Sequence, residues 1–263
     1  MILYFTGTGN SRFAAEFIAD RTGDKCVSLN EILKNKRALE FSSENPFVIA
    51  APVYASSFPR IVVKLIRRAA FSGSNEVYFI ATMGAAPGKC EVELAELAKE
   101  KGMEYKGFCG IRLPNNYIVG GNVPDSSEAE RIIEEAVPVL ESVSDKISAG
   151  EHIGKEKIGI GAKLMSHTVN GLFNVVMDKM NCSRKFTVSD DCIACGRCAS
   201  VCPVNNIIIM DNRPVFREKC VNCLACINSC PMKAINYGGK TADRNRYVCP
   251  DYSTWKKLHE EDE

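Results

Sequence analysis

The chain has 263 residues, a net charge of +1 and 13 cysteines. A hydrophobic share of 46% and a charged share of 25% are ordinary for a soluble globular protein. The balanced charge excludes a bulk field that would attract nucleic acid or a membrane surface. No charged and then apolar leader precedes the first predicted strand, and no uninterrupted apolar run is long enough to span a membrane. We therefore expect a cytoplasmic protein.

Strand and helix patterns alternate over the first 150 residues. Predicted strands cover residues 1–5, 25–29, 46–51, 76–81 and 105–112, and predicted helices cover 11–21, 31–36, 58–70, 90–101 and 127–148. The second helix is weak, and Pro138 is expected to kink the last one. Such alternation predicts an α/β fold in which helices cover both faces of a parallel sheet.

A loop of hydroxyl and glycine residues follows the first predicted strand. It reads Thr6, Gly7, Thr8, Gly9, Asn10, Ser11. Unsatisfied N–H groups at a helix start attract anions, and glycine lets the backbone bend tightly. No Lys follows the glycines, so this is not a Walker loop, and its neutral donors suit the phosphate monoester of FMN. An ordinary capped turn is the alternative.

The loop resembles the flavodoxin fingerprint S/T-x-T-G-N-S/T at every position, and the resemblance covers about residues 1–150. It implies a doubly wound five-stranded sheet in the order 2-1-3-4-5, with FMN at the carboxyl ends of the first and third strands. Tyr54 is expected to stack on the flavin ring, with packing inside its own loop as the alternative. Two further loops supply the other candidate contacts, which are Pro52, Val53, Tyr54 and Ala55, and Thr82, Met83, Gly84 and Ala85.

Residues 151–185 separate this region from a cysteine-rich repeat. Apolar residues recur there at three- and four-residue spacing, which predicts an amphipathic helix. We interpret this helix as a connector, and a face that docks a partner or a membrane is the alternative. The polar tail of residues 241–263 carries no clear signal.

Eight cysteines lie in two copies of the pattern C-x2-C-x2-C-x3-C-P, which begin at residues 192 and 220. Clustered cysteine in a reducing compartment indicates metal rather than disulfides. In the bacterial ferredoxins, which share this spacing, three cysteines of each run hold one [4Fe–4S] cluster and the fourth holds the other cluster. Zinc, which prefers separated pairs of ligands, is a minor alternative.

The match to two-cluster ferredoxins covers about residues 187–237, within a small α+β domain assigned to 186–240, and includes short strands at 207–210 and 234–237. It implies that the first cluster takes Cys192, Cys195, Cys198 and Cys230, and the second Cys220, Cys223, Cys226 and Cys202. Gly196 would let the backbone pass close to the first cluster, and Ala225 is interpreted as its small equivalent in the second half.

The order of flavodoxin-like domain, connector and ferredoxin domain resembles the fusion proteins called EFR1 family ferredoxins. The resemblance implies an anaerobe's electron-transfer protein with FMN and two [4Fe–4S] clusters. We expect a relay that converts two-electron into one-electron steps between redox partner proteins, with no nucleic acid and no membrane span. An FMN-dependent reductase of a small substrate and an iron–sulfur redox sensor are the alternatives. No NAD(P)H site or DNA-binding helix pair is evident in the sequence.

Overall fold

The computed structural model describes residues 1–154 and 182–260. Its main feature is a parallel sheet of β1 (Ile2–Tyr4), β2 (Cys26–Ser28), β4 (Phe47–Pro52), β6 (Glu76–Met83) and β7 (Glu104–Arg112). The order is β2-β1-β4-β6-β7, and every neighbouring pair is parallel. Counted within the sheet, this is the order 2-1-3-4-5, so the predicted fold class is confirmed.

Helices cover both faces of the sheet, as the apolar strand sequences require. They are α1 (Asn10–Thr22), α2 (Leu29–Asn35), α3 (Arg60–Arg68), α4 (Cys90–Glu100) and α5 (Ser126–Ser148). The buried side chains of α1 and α5 share one core cluster, whereas those of α3 and α4 share the other. The strand β4 is buried along almost its whole length, which explains its continuous apolar sequence. The α5 helix runs through Pro138 as a single element.

A second, two-stranded sheet was not predicted. The strands β3 (Glu40–Ser43) and β5 (Ala70–Gly73) pair in parallel beside the main sheet. The Phe71 ring lies 5.5 Å from the Phe41 ring and 5.0 Å from the Phe47 ring, measured between centroids. These aromatic contacts attach the small sheet to the edge of the main core.

The cysteine-rich part is built from short paired strands and single helical turns. A 3₁₀ turn at Cys182–Lys185 precedes β8 (Phe186–Val188), which pairs with β11 (Ile235–Tyr237), and β9 (Ile207–Met210) forms a hairpin with β10 (Arg213–Phe216). The helical turns are α6 (Arg197–Ser200) and α7 (Ala225–Asn228). The predicted strands are confirmed, whereas most of the predicted amphipathic helix at 151–185 lies outside the described residues. No helix in the described ranges is long and apolar enough to cross a membrane.

The tail ends in a helix that packs on the N-terminal domain. This helix, α8 (Tyr252–Glu260), places Tyr252 and Trp255 edge-on to Phe13 of α1, with ring centroids 5.6 and 5.4 Å away. The Tyr252 hydroxyl donates to the Asp20 carboxylate at 2.9 Å. The tail that follows the cysteine-rich part is therefore packed on α1 of the N-terminal domain.

Candidate functional site

The loop between β1 and α1 presents free amide groups at a helix start. Two hydrogen bonds to the Asn30 side chain fix Thr6. The Thr6 N–H donates to the Asn30 Oδ1 at 2.9 Å, and the Asn30 Nδ2 donates to the Thr6 carbonyl at 2.8 Å. The Gly9 amide donates to the Thr6 hydroxyl at 2.9 Å. Across the described parts of the chain, the Gly7 and Thr8 amides meet no hydrogen-bond acceptor. Such a loop is chemically suited to an anion.

The three predicted flavin loops meet at one edge of the sheet. The Ser11 and Thr82 hydroxyls are buried and 2.7 Å apart, which joins the first loop to the end of β6. The Val53 amide donates to the Thr82 carbonyl at 2.9 Å. A Cβ added at Gly7 would lie 3.2 Å from the Tyr54 hydroxyl. The structure thus brings the ends of β1, β4 and β6 together.

Several other residues predicted to contact the flavin lie against different parts of the sheet. The Met83 side chain lies against Gly110 of β7, where an added Cβ would be 2.7 Å from the Met83 Cε. Gly84 lies against Asn115, which follows the last strand. Pro52 pairs with Thr82 within the sheet. Among these positions, Gly84 is the one whose backbone is exposed at the sheet edge.

The Tyr54 loop turns through two residues in the left-handed region. Ala55 and Ser56 have φ values of 50° and 66°, and Tyr54 and Ser57 exchange backbone hydrogen bonds of 2.7 and 3.2 Å. Positive φ at two consecutive non-glycine residues is strained, and such strain concentrates at functional sites. The turn directs the Tyr54 hydroxyl into the protein, where it is buried without a hydrogen-bond partner. Burial, followed by the nearby Cys223 and Cys220 thiols, holds the pKa of Tyr54 well above its usual value.

The chain itself covers the anion loop. A Cβ added at Gly7 would lie 2.5 Å from the Cys223 carbonyl oxygen, and one added at Gly9 would lie 2.8 Å from the Cys249 Cβ. The Cys249 amide donates to the Thr8 carbonyl at 2.7 Å. We call Cys223 and residues 247–249 the cover. It brings a predicted cluster ligand directly against the predicted flavin loop.

Two side chains extend the cover into a hydrogen-bond network. The Tyr247 hydroxyl donates to the Asn10 side-chain oxygen at 2.8 Å. The Asn228 side chain donates from Nδ2 to the Asn116 carbonyl at 3.2 Å, and its Oδ1 accepts from the Tyr247 N–H at 3.2 Å. Asn116 in turn donates to the Thr8 hydroxyl at 2.9 Å. The C-terminal part of the chain therefore bonds to Asn10 directly and reaches Thr8 through Asn116.

The two cysteine runs fold as copies of one loop. Left-handed residues recur at an offset of 28, with Ala194 matching Asn222 and Gly196 matching Leu224. Gly196 immediately precedes the helical turn α6, and Leu224 immediately precedes the helical turn α7. The structural equivalent of Gly196 is therefore Leu224, so the prediction of Ala225 for that position is wrong by one residue. Leu224 adopts φ of 58° without the freedom of glycine.

Electrostatic neighbours group the cysteines across the two runs. Burial raises the pKa of Cys198, and the charges of Cys195 and then Cys230 add to the effect. Burial raises the pKa of Cys226 further, with contributions from Cys223, Cys220 and Cys202. Each group therefore contains one cysteine from the opposite run. Metal binding would supply the positive charge that ionises such buried thiols.

Backbone amides also point at two of these sulfurs. The Asn206 N–H donates to the Cys202 Sγ at 3.2 Å, and the Asn222 N–H donates to the Cys220 Sγ at 3.4 Å. Amide bonds to ligating sulfur stabilise the thiolate and help to set cluster potentials. The loops thus have donors suited to metal-bound thiolates.

Family models match both parts of the chain. A flavodoxin domain matches residues 1–109, and a 4Fe–4S dicluster domain matches residues 164–241. The chain therefore has a flavodoxin domain followed by a 4Fe–4S dicluster domain, which is the arrangement of a flavodoxin-fused ferredoxin. The cofactors of this flavodoxin-fused ferredoxin are FMN and [4Fe–4S] clusters, and it is an electron-transfer flavin and iron–sulfur protein.

Several solved structures are similar to part of this flavodoxin-fused ferredoxin. A flavodoxin from the domain Archaea is 14% identical, with a TM-score of 0.30 over 54% of this chain and 96% of that chain. General stress protein 14 of Treponema denticola, solved in complex with FMN, is 10% identical, with a TM-score of 0.36 over 56% of this chain and 97% of that one. At these TM-scores the domain matches, rather than these structures, carry the assignment.

The flavodoxin loop has the donors that FMN requires, and the cover lies against its two glycines. Free amides at Gly7 and Thr8, with neutral side chains around them, suit a phosphate monoester. The contacts of Cys223 and Cys249 leave no room for a methyl group at Gly7 or Gly9. The cover is therefore packed directly against both glycines of the loop.

The sequence reasoning missed the part played by the tail. Tyr247, 5% exposed, and Cys249, 2% exposed, contact the flavodoxin loop from more than 200 residues away in sequence. Aromatic residues at 247, 252 and 255 were the signal that could have identified a packed tail. Cys90, at the start of α4, is fully buried, and burial raises the pKa of its thiol, which favours a structural role.

Proposed function

We propose that this protein relays electrons between FMN and two [4Fe–4S] clusters, which converts two-electron into one-electron steps. Bound FMN exchanges two electrons, and each cluster exchanges one. We assign the flavodoxin unit to residues 1–150, the connector to 151–185, the dicluster unit to 186–240 and the tail to 241–263. Redox proteins would supply and remove the electrons.

The contact between Cys223 and Gly7 carries this proposal. It joins the flavodoxin loop to the cysteine run of the second cluster. A Cβ added at Gly7 would lie 2.5 Å from the Cys223 carbonyl oxygen. Val201, Val221, Cys223 and Ala225 also belong to the core cluster that contains the side chains of α3 and α4. Close packing of this kind shortens the distance between centres and excludes water from the gap.

The eight cysteines would hold the clusters in crossed sets. We assign Cys192, Cys195, Cys198 and Cys230 to the first cluster, and Cys220, Cys223, Cys226 and Cys202 to the second. The mutual pKa effects within each group support the crossing of Cys230 and Cys202 between the two runs. The second set is the one against the flavodoxin loop.

The flavin contacts are assigned by the chemistry of the three loops. The amides and hydroxyls of residues 6–11 would hold the phosphate, as at other helix starts. The Tyr54 hydroxyl, buried without a partner, has an unused hydrogen-bonding capacity at the same edge. Residues 52–55 and 82–85 would line the ring, although the Met83 side chain points towards β7.

Anaerobic rapid-mixing spectroscopy tests the relay. The protein is first assayed for eight irons, matching sulfide and one FMN, and its flavin is then reduced rapidly. The expected result is bleaching of the clusters in step with reoxidation of the flavin, because each electron that leaves the flavin reduces a cluster. Clusters that stay oxidised, although their potentials allow reduction, would refute the relay. A Cys220→Ser variant that loses the second cluster provides the matched control for the route.

A cavity supports a second candidate function, the reduction of a small substrate at the flavin. About 410 Å³ of space lies beside Gly84, Arg112 and Asn115, next to the loop assigned to the ring. Cavities of this size accommodate small ligands. Steady-state anaerobic turnover with small acceptors separates this candidate from a carrier, because a carrier needs a redox protein for turnover.

A further inference from the structure

Arg246 is held against the strand that lines the first cluster site. Its guanidinium donates to the Thr241 carbonyl at 2.9 Å, the Ile235 carbonyl at 3.2 Å and the Asn236 side-chain oxygen at 3.0 Å. Ile235 lines the same groove as the four cysteines assigned to the first cluster. Three anchors from two chain segments fix the cation at this position.

The charge of Arg246 has no carboxylate partner. Its Nε is buried without an acceptor, and no salt bridge to it is present within residues 1–154 and 182–260. Burial lowers the pKa of Arg246, and the charge of an ionised Cys230 would oppose that effect. A desolvated cation needs a nearby anion, and Cys230 is a ligand in the first set.

We propose that Arg246 raises the reduction potential of the first cluster and so makes it the acceptor of electrons from the second. Reduction adds one electron to the cluster without forming a bond or moving a proton. The reduced cluster is the more negative one, so a cation fixed at the Ile235 carbonyl, on the wall of the first-cluster groove, stabilises it more than the oxidised form. The inference rests on the ligand sets proposed above.

Solvent exposure favours the same direction, whereas the amide bonds to Cys202 and Cys220 favour reduction of the second cluster and oppose it. Three ligands of the second set, Cys202, Cys223 and Cys226, are 7 to 9% exposed, and in the first set Cys198 alone is that buried. A low dielectric disfavours additional negative charge on the second cluster. In the first set Cys195 is exposed, and the adjacent Ile193 is 60% exposed. Electrons would therefore pass from the enclosed cluster by the flavin loop to the one at the surface.

Potentiometric titration followed by EPR tests the inference on the full chain with both clusters loaded. Arg246→Gln should lower one cluster's reduction equilibrium constant at least tenfold, which is about 59 mV for one electron. Arg246→Lys, which keeps the charge, should stay within threefold of the wild type. Arg67→Gln is the control, because that exposed guanidinium is paired with Glu100 in the N-terminal domain, away from both cysteine runs. It should change neither potential.

Other results would overturn the inference. Unchanged reduction potentials in Arg246→Gln would show that the charge of Arg246 does not set the potential. A fall in potential as large in Arg246→Lys as in Arg246→Gln would show the same. Loss of four of the eight irons in both variants would show a structural role instead. Cys195→Ser identifies which transition belongs to the first cluster, and a fall in the other transition would also refute the proposal. None of these readouts depends on the flavin, so failure of the relay is distinguishable.

Discussion

Weakening the cover should tighten the binding of FMN. The Tyr247 hydroxyl donates to the Asn10 side chain at 2.8 Å and lies in a segment that fills the space in front of Gly9. We expect residues 247–249 to compete with FMN for the loop, so destabilising the covered form should favour the flavin-bound form by linkage. The perturbation is Tyr247→Phe, which preserves the ring, weakens the side-chain interaction with Cys249 and removes the hydrogen bond to Asn10.

The expected size follows from that one bond. A buried neutral hydrogen bond contributes about 1 kcal/mol of net stability. Where the covered form predominates, losing it should lower the apparent Kd for FMN about fivefold, because about 1.4 kcal/mol corresponds to a factor of ten. The Cys249 amide bond to the Thr8 carbonyl and the Cys223 contact remain. The gain is therefore limited to this increment.

Flavin fluorescence provides the assay. Flavin-free protein with intact clusters is titrated anaerobically with FMN, and quenching gives the Kd of each variant. Tyr78→Phe is the matched control, since its hydroxyl donates at 2.9 Å to the Glu151 carbonyl, away from the loop. An affinity in Tyr247→Phe that equals or falls below that of the wild type and the control would refute the competition between cover and flavin.

Three further variants test the loop and its cover. Gly7→Ala places a methyl group 2.5 Å from the Cys223 carbonyl and should cost about 1–3 kcal/mol in thermal unfolding, whereas Gly121→Ala, with open space around it, should be neutral. Tyr54→Phe removes a buried hydroxyl without a partner and should raise the unfolding free energy of the flavin-free protein by about 1 kcal/mol; a loss would contradict this. Burial raises the pKa of Cys249 from 9.0 to about 12, so its contribution to stability is complete below pH 9 and is lost as pH rises towards 12. Cys249→Ala should flatten that alkaline decline by up to about 1.4 kcal/mol per pH unit, measured by thermal melts, and an unchanged slope would contradict it.

Local patterns were sufficient to predict the central sheet and the cysteine repeat. The continuous apolar run of β4 and the regular alternation with helices specify buried parallel strands. The offset of 28 between the cysteine runs is visible in the letters and reappears in the backbone angles of Gly196 and Leu224. Both features can be read from the order of residues along the chain, without knowing which distant residues pack together.

Long-range packing explains what the sequence did not predict. The pairing of β3 with β5 depends on contacts of Phe71 with Phe41 and Phe47, which no local period signals. The cover depends on residues 247–249 meeting a loop at the opposite end of the chain. Leu224 was overlooked because a left-handed leucine cannot be recognised from its type.

Duplication of a loop did not produce two equivalent halves here. No atom would come within 4 Å of a Cβ added at Gly196, so the first copy has space for a larger side chain there, and the second copy has a leucine at that point. Gly196→Leu would therefore test the cost of the backbone angle with little crowding, whereas Leu224→Gly would also remove a buried side chain that is 3% exposed. The two copies differ because the second packs its leucine into the core that it shares with the rest of the protein.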